Sequence, residues 1–103
     1  MIINLDKVNI PKKIVKELDC IFSSFDNIQK VVLFGSRARK DNKVNSDIDI
    51  AIYGNVEEDK YKINNMIDEI NTIYSFDVIF VCEEISENLL NQIKKDGSII
   101  YER

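Results

Sequence analysis

The 103-residue chain has no histidine, and it carries only two cysteines, one proline and three glycines. Without histidine it cannot build Ser-His or Cys-His nucleophile pairs, the usual zinc ligand sets, or a ribonuclease mechanism with a histidine base. Any chemistry must use carboxylates, hydroxyls and backbone groups. Cys20 and Cys82 lie far apart with no metal-ligand spacing around either, so both are expected as buried free thiols rather than a disulfide. No apolar run approaches the ~20 residues that span a bilayer. The opening MIINLDKVNIPKK also lacks the basic-then-apolar order of a signal peptide. The expectation is a cytoplasmic protein with no membrane association. With no linker, repeat or low-complexity stretch, residues 1–103 read as a single domain.

The residues that are present describe an ordinary globular chain, 45% apolar and 31% charged. Eighteen acidic against fourteen basic residues leave a net charge of −4. That argues against a protein that grips nucleic acid by neutralising phosphates, and no direct nucleic-acid binding is expected. Lys12, Lys13 and Lys16 read as a solvated helix face.

Periodicity orders the elements. After Pro11, which suits the first turn of a helix, Ile14, Val15, Leu18, Ile21, Phe22 and Phe25 recur at helical spacing and predict a helix over 11–25. Lys30 to Phe34 is a β-branched apolar run that predicts a buried strand, closed by Gly35. Ser36 to Arg39 is read as the start of a short helix, and residues 40–46 as a loop. Asp47 to Tyr53 predicts a second strand. Ile63, Met66, Ile67, Ile70 and Ile73 predict a helix within 57–73, with Glu57, Glu58 and Asp59 at its electropositive start. Phe76 to Cys82 predicts a third strand. A helix capped by Ser86 follows, stopped by Gly97, and Ser98 to Tyr101 predicts a last strand. The order implies an α/β (α+β) fold, a small mixed sheet of about four strands packed with about four helices.

Two features of this pattern carry chemistry. Side chains alternate along a strand, so Asp47 and Asp49 point to one face while Ile48 and Ile50 enter the core on the other. Two carboxylates on one face repel each other and resist desolvation, which a hard divalent cation relieves. Asp77, in the third strand, can face the same site if the second and third strands are neighbours. At the other end, Phe34-Gly35-Ser36 runs from strand into turn and helix start, where exposed N–H groups attract phosphate. Ser36 adds a hydroxyl, and Arg37 and Arg39 add cations. Alone, a Gly-Ser pair is a turn and Asp-x-Asp a solvated strand edge. No Gly-Lys-Ser/Thr phosphate loop is present. Asp41, Asn45, Asp47 and Asp49 lack the glycine and closing glutamate of a Ca²⁺ loop. Together, a phosphate end and a metal end describe a site for a nucleoside triphosphate with Mg²⁺.

The stretch Phe34-Gly35-Ser36-Arg37-Ala38-Arg39 followed by Ser46-Asp47-Ile48-Asp49-Ile50 resembles the signature of the DNA polymerase β-like nucleotidyltransferases. More narrowly, with the ending Ile93-Lys94-Lys95-Asp96-Gly97-Ser98-Ile99-Ile100-Tyr101, the chain is similar to the minimal nucleotidyltransferase (MNT) antitoxins that pair with HEPN-domain toxins. Lys40 departs from the pattern, standing where a glycine commonly follows the second arginine. The resemblance implies the nucleotidyltransferase fold and a metal set of Asp47, Asp49 and Asp77 for two Mg²⁺ ions. It implies that Gly35 and Ser36 hold the phosphates of ATP, with Arg37 and Arg39 nearby. Asp77 would also help deprotonate the acceptor. The implied activity is transfer of AMP to a tyrosine hydroxyl of a cognate HEPN ribonuclease, in a hetero-oligomer with that toxin. Two alternatives stay open. One is an antitoxin that masks its partner without catalysis. The other is AMP transfer to a small hydroxylated molecule, for which no residues remain to build an acceptor domain.

Overall fold

Pro11 begins the first helix in the computed structural model, which describes residues 10–35, 47–81 and 85–103. It stands just before the helix rather than in its first turn, in extended conformation (φ −56°, ψ 141°). Its carbonyl accepts the N–H groups of Ile14 at 3.0 Å and Val15 at 3.1 Å. Helix α1 (Lys12–Ser23) buries Ile14, Leu18, Ile21 and Phe22. It stops two residues short of the predicted end because the Ser24 hydroxyl donates to the Cys20 carbonyl at 2.7 Å, a local bond that competes with continuing the helix. Phe25 lies past that end and is still buried. Cys20, expected to be buried, is exposed and free, because it falls off the stripe that α1 turns to the core. Cys82 lies outside the described residues.

Strands β1 (Ile28–Phe34) and β2 (Ile48–Gly54) follow the predicted runs, β1 beginning two residues earlier. The helix expected over 57–73 is shorter: a 3₁₀ turn at Glu57–Asp59 leads into α2 (Lys60–Asp68). The Ile70 N–H donates to the Ile67 carbonyl at 3.1 Å, a tighter turn that ends the helix. The Tyr74 N–H then donates to the Thr72 hydroxyl at 3.2 Å and steers the chain into the next strand. Ile73, expected on the apolar face, is therefore outside the helix and 87% exposed. Strand β3 (Phe76–Phe80) ends before Cys82. Helix α3 (Glu87–Asp96) has the expected cap, with the Leu89 N–H donating to the Ser86 hydroxyl at 3.2 Å. Glu87 in its first turn and Lys94 and Lys95 in its last complement the helix dipole. Strand β4 (Ser98–Glu102) completes the chain's regular structure. The short helix read at 36–39 lies outside the described residues, which contain three α-helices.

The four strands form one mixed sheet in the order β3-β2-β1-β4. β1 is antiparallel to both β2 and β4, while β2 and β3 are parallel, joined by α2 as a crossover. Alternation splits the core in two. Val31, Leu33, Ile48, Ile50 and Ile52 pack against α1 and α2 on one face. Val32, Phe34 and Ala51 pack against Ile93 and Leu89 of α3 on the other. This is the mixed α+β architecture expected from the pattern. No helix among the described residues is long and apolar enough to cross a membrane.

One long-range clamp holds α1 to the sheet. The Arg103 guanidinium donates to the carbonyls of Phe22 at 3.3 Å, Phe25 at 3.0 Å and Ile28 at 3.1 Å, and to the Tyr101 hydroxyl at 3.1 Å. The Phe22 carbonyl lies in the last turn of α1, the Phe25 carbonyl in the turn that follows it and the Ile28 carbonyl at the start of β1, so one side chain ties the helix end to the sheet. Its ion pair with Asp26, at 3.5 Å with that carboxylate 97% exposed, adds little. Arg103→Ala is expected to lower stability by about 1–3 kcal/mol in urea unfolding, since it removes the charge-assisted hydrogen bonds that join the end of α1 to β1 and β4. Arg103→Lys should recover less than half of that, because an ammonium does not reproduce the planar fork.

Candidate active site

The sheet register brings residues from three strands to one end. Phe34, the last residue of β1, pairs with Asp49 of β2, and Asp49 pairs in turn with Asp77 of β3. Because adjacent strands lie about 4.8 Å apart, Gly35, Asp49 and Asp77 form a short row across the sheet end. Ile48 and Ile50 are fully buried on the α1/α2 face, so alternation puts the carboxylates of Asp49 and Asp77 on the α3 face. Asp49 is half-buried, while Asp47, just before β2, and Asp77 are exposed.

Gly35 has a structural reason to be glycine. Its φ of +76° lies in the left-handed region. A Cβ placed there would overlap the Asp49 carboxylate, falling on Oδ2 and 3.2 Å from Cγ. The missing side chain is what lets the turn after β1 and the carboxylate of β2 share one space. The sequence suggested Gly35 for close approach of a phosphate but gave no sign of this contact with Asp49. The signal lay in the β1–β2 register, which a single sequence does not print.

The donor set suits a hard cation, since Asp49 and Asp77 place carboxylate oxygens on one face. The three carboxylates share an end of the sheet without converging, and no cluster of three potential metal ligands forms among the described residues. Ser36, Arg37 and Arg39 lie outside the described residues. At the far end of the same face, burial raises the pKa of the Tyr53 hydroxyl above its ordinary value, and the Lys30 ammonium stands 4.3 Å from that ring's centroid. A separate groove of about 340 Å³ opens between α1 and α2, lined by Glu17, Cys20, Met66 and Ile70 among others. It sits on the opposite face of the sheet.

A four-stranded mixed sheet with helices on both faces, and Asp49 at a strand end beside Gly35, defines a nucleotidyltransferase fold. Residues 16–103 match the family described as polymerase beta, nucleotidyltransferase, and the chain belongs to that family. Among curated proteins nothing matches significantly. Among solved structures, a candidate nucleotidyltransferase from Sulfolobus solfataricus is 28% identical, with a TM-score of 0.58 over 89% of this chain and 79% of that one. A toxin–antitoxin complex with AMP-PNP contains a chain 18% identical, with a TM-score of 0.67 over 86% of this chain and 73% of its own. The tri-AMPylated HEPN toxin of Shewanella oneidensis in complex with MNT antitoxin supplies another at 16% identity, with a TM-score of 0.63 over 89% and 72%. These last two likenesses are of fold.

The Gly35–Asp49 contact yields a double-mutant test. Gly35→Ala is expected to destabilise by more than the ~1–2 kcal/mol that a left-handed backbone costs a residue with a Cβ. In an Asp49→Ala background the overlap is gone and only the backbone cost should remain. Thermal unfolding of the four proteins should show that coupling, at least about 0.5 kcal/mol. Strict additivity would mean that the two residues do not share this space.

Proposed function

We propose that the protein is an Mg²⁺-dependent adenylyltransferase that acts as an antitoxin, moving AMP from ATP to a tyrosine hydroxyl of a cognate HEPN toxin. The observation that carries this reading is the row Gly35, Asp49, Asp77 at one sheet end, in a chain of the nucleotidyltransferase family. The fold shared with chains of toxin–antitoxin complexes, one with AMP-PNP and one with an AMPylated HEPN toxin, supports the choice of partner. A single minimal domain spanning residues 1–103 in the cytoplasm is part of the same reading.

Each residue has a distinct task. Gly35, with no side chain, would let phosphate oxygens approach the backbone, and Ser36, Arg37 and Arg39 are assigned to the same phosphates. Asp47 and Asp49, with Asp77, are the carboxylates that would hold Mg²⁺. When bound, the metal neutralises phosphate charge and lowers the barrier to in-line displacement. Asp77, on the outermost strand, accepts the proton as the tyrosine oxygen bonds to the α-phosphorus. The bond from that phosphorus to the bridging oxygen breaks, and pyrophosphate leaves. Asp49 lies between turn and base, so it orients both.

A second reading has its own observation. Asp47 is exposed and the three carboxylates do not converge, as in an antitoxin that neutralises its partner by masking alone. Incubating the protein with Mg²⁺, α-labelled ATP and the HEPN toxin distinguishes the two. Label should reach the toxin, and Asp49→Ala should abolish it. Asp77→Asn should retain nucleotide binding while transfer falls at least about 10²-fold, the usual loss on removing a general base. An unlabelled toxin that Asp47→Ala still neutralises would leave masking as the mechanism.

A further inference from the structure

Strand β3 is an outer edge of the sheet, and its hydrogen bonds reveal which way its backbone faces. The Ile48 N–H donates to the Ser75 carbonyl at 2.9 Å, and the Val81 N–H donates to the Ile52 carbonyl at 3.0 Å. In a parallel ladder this phase gives the odd residues, Asp77 and Ile79 included, to β2. The N–H and C=O groups of Phe76, Val78 and Phe80 therefore point away from the sheet. Among the described residues none of them has a partner.

Sheet proteins ordinarily blunt such an edge with lysine, proline, a bulge or a covering segment. The run Phe76-Asp77-Val78-Ile79-Phe80 contains no proline and no lysine, its one charge is the exposed Asp77, its pairing with β2 is free of bulges, and its apolar side chains are half-buried rather than buried. It has the character of a strand built to be paired.

We infer that β3 pairs with β3 of a second copy of this chain, antiparallel about a two-fold axis through Val78, to give a continuous eight-stranded sheet. The sequence of the edge is complementary to itself in this register. Val78 faces Val78 and Phe76 faces Phe80 of the second copy, so each outward residue belongs to a hydrogen-bonded pair that exchanges two bonds. On the α1/α2 face the pairing sets phenylalanine beside phenylalanine, a favourable cross-strand combination. Lys60, 5.7 Å from the Phe80 ring centroid, borders that contact. On the α3 face Asp77 faces Ile79 of the second copy, so no like charges stand opposite. The two Asp77 carboxylates are diagonal neighbours roughly 7–8 Å apart between strands, a mild repulsion that salt screens. The interface uses backbone groups and leaves both carboxylates on the open face, so it stands apart from the chemistry proposed for the site.

The register can be read by charge. Ile79→Asp places a carboxylate opposite Asp77 of the second copy, whereas Ile79→Lys places an ammonium there; both alter the same half-buried position of the fold. Val78→Pro removes an outward N–H at the axis without touching the β2 ladder, which an edge strand tolerates. Sedimentation over an about hundredfold concentration range should show a monomer–dimer equilibrium for the parent protein, tightened by salt. Ile79→Asp and Val78→Pro should weaken it about tenfold or more, and Ile79→Lys should keep or tighten it. Amide exchange at Phe76, Val78 and Phe80 should slow as concentration rises. A parent protein that stays monomeric, or aspartate and lysine at position 79 acting alike, overturns the inference. So does slowed exchange at these amides only when the HEPN toxin is added, which would assign the edge to that protein.

Discussion

The arrangement rests on the two-residue period of β2. Ile48, Ile50 and Ile52 fix one face of this strand against α1 and α2 with no exposure at all. Sliding the strand by one residue would bury Asp49 there and expel the isoleucines. Burying each of those side chains stabilises the fold by about 1.5–3 kcal/mol, so the hydrophobic effect holds the carboxylates where they are. The acidic end of the strand is a by-product of the apolar register. Asp49 is presented to solvent because its neighbours cannot be.

From that register the rest of the site follows by pairing. β1 brings Gly35 beside Asp49 because Phe34 is its register partner. β3 brings Asp77 beside it because α2 returns the chain parallel to β2. Neither approach needs contact between loops. A site built at strand ends inherits the rigidity of the ladder, and small errors in loop path leave the row of residues intact.

Much of this was legible in the sequence, and the misses have physical causes. Strands and helices appeared because apolar spacing is a local signal, and Ser86 announced its helix because capping is local too. The face of Asp49 follows from alternation with Ile48 and Ile50, whereas Asp47 stands just before the strand begins. That Asp77 lies beside Asp49 depended on strand order, which no single strand encodes. Ile73 was misplaced by extending a helical period past the tight turn at Ile70, and Cys20 by expecting a free thiol to be buried, whereas it sits beside the apolar stripe of α1. Arg103 gave no warning, since a donor for three remote carbonyls looks like any surface arginine. The contact between Gly35 and Asp49 was hidden for a similar reason, being a property of register.

The Arg103 clamp also has a bearing on how the protein is made. Its guanidinium reaches the Phe22 carbonyl across 81 positions of chain, and β4 must dock on β1 before it can do so. A ribosome shields the residues it has just joined, so α1 emerges long before its C-terminal carbonyls can meet their donors. The nascent helix waits, loosely held by its apolar stripe, until synthesis has passed residue 103. Contacts this distant in sequence make folding slower than in a protein of local contacts.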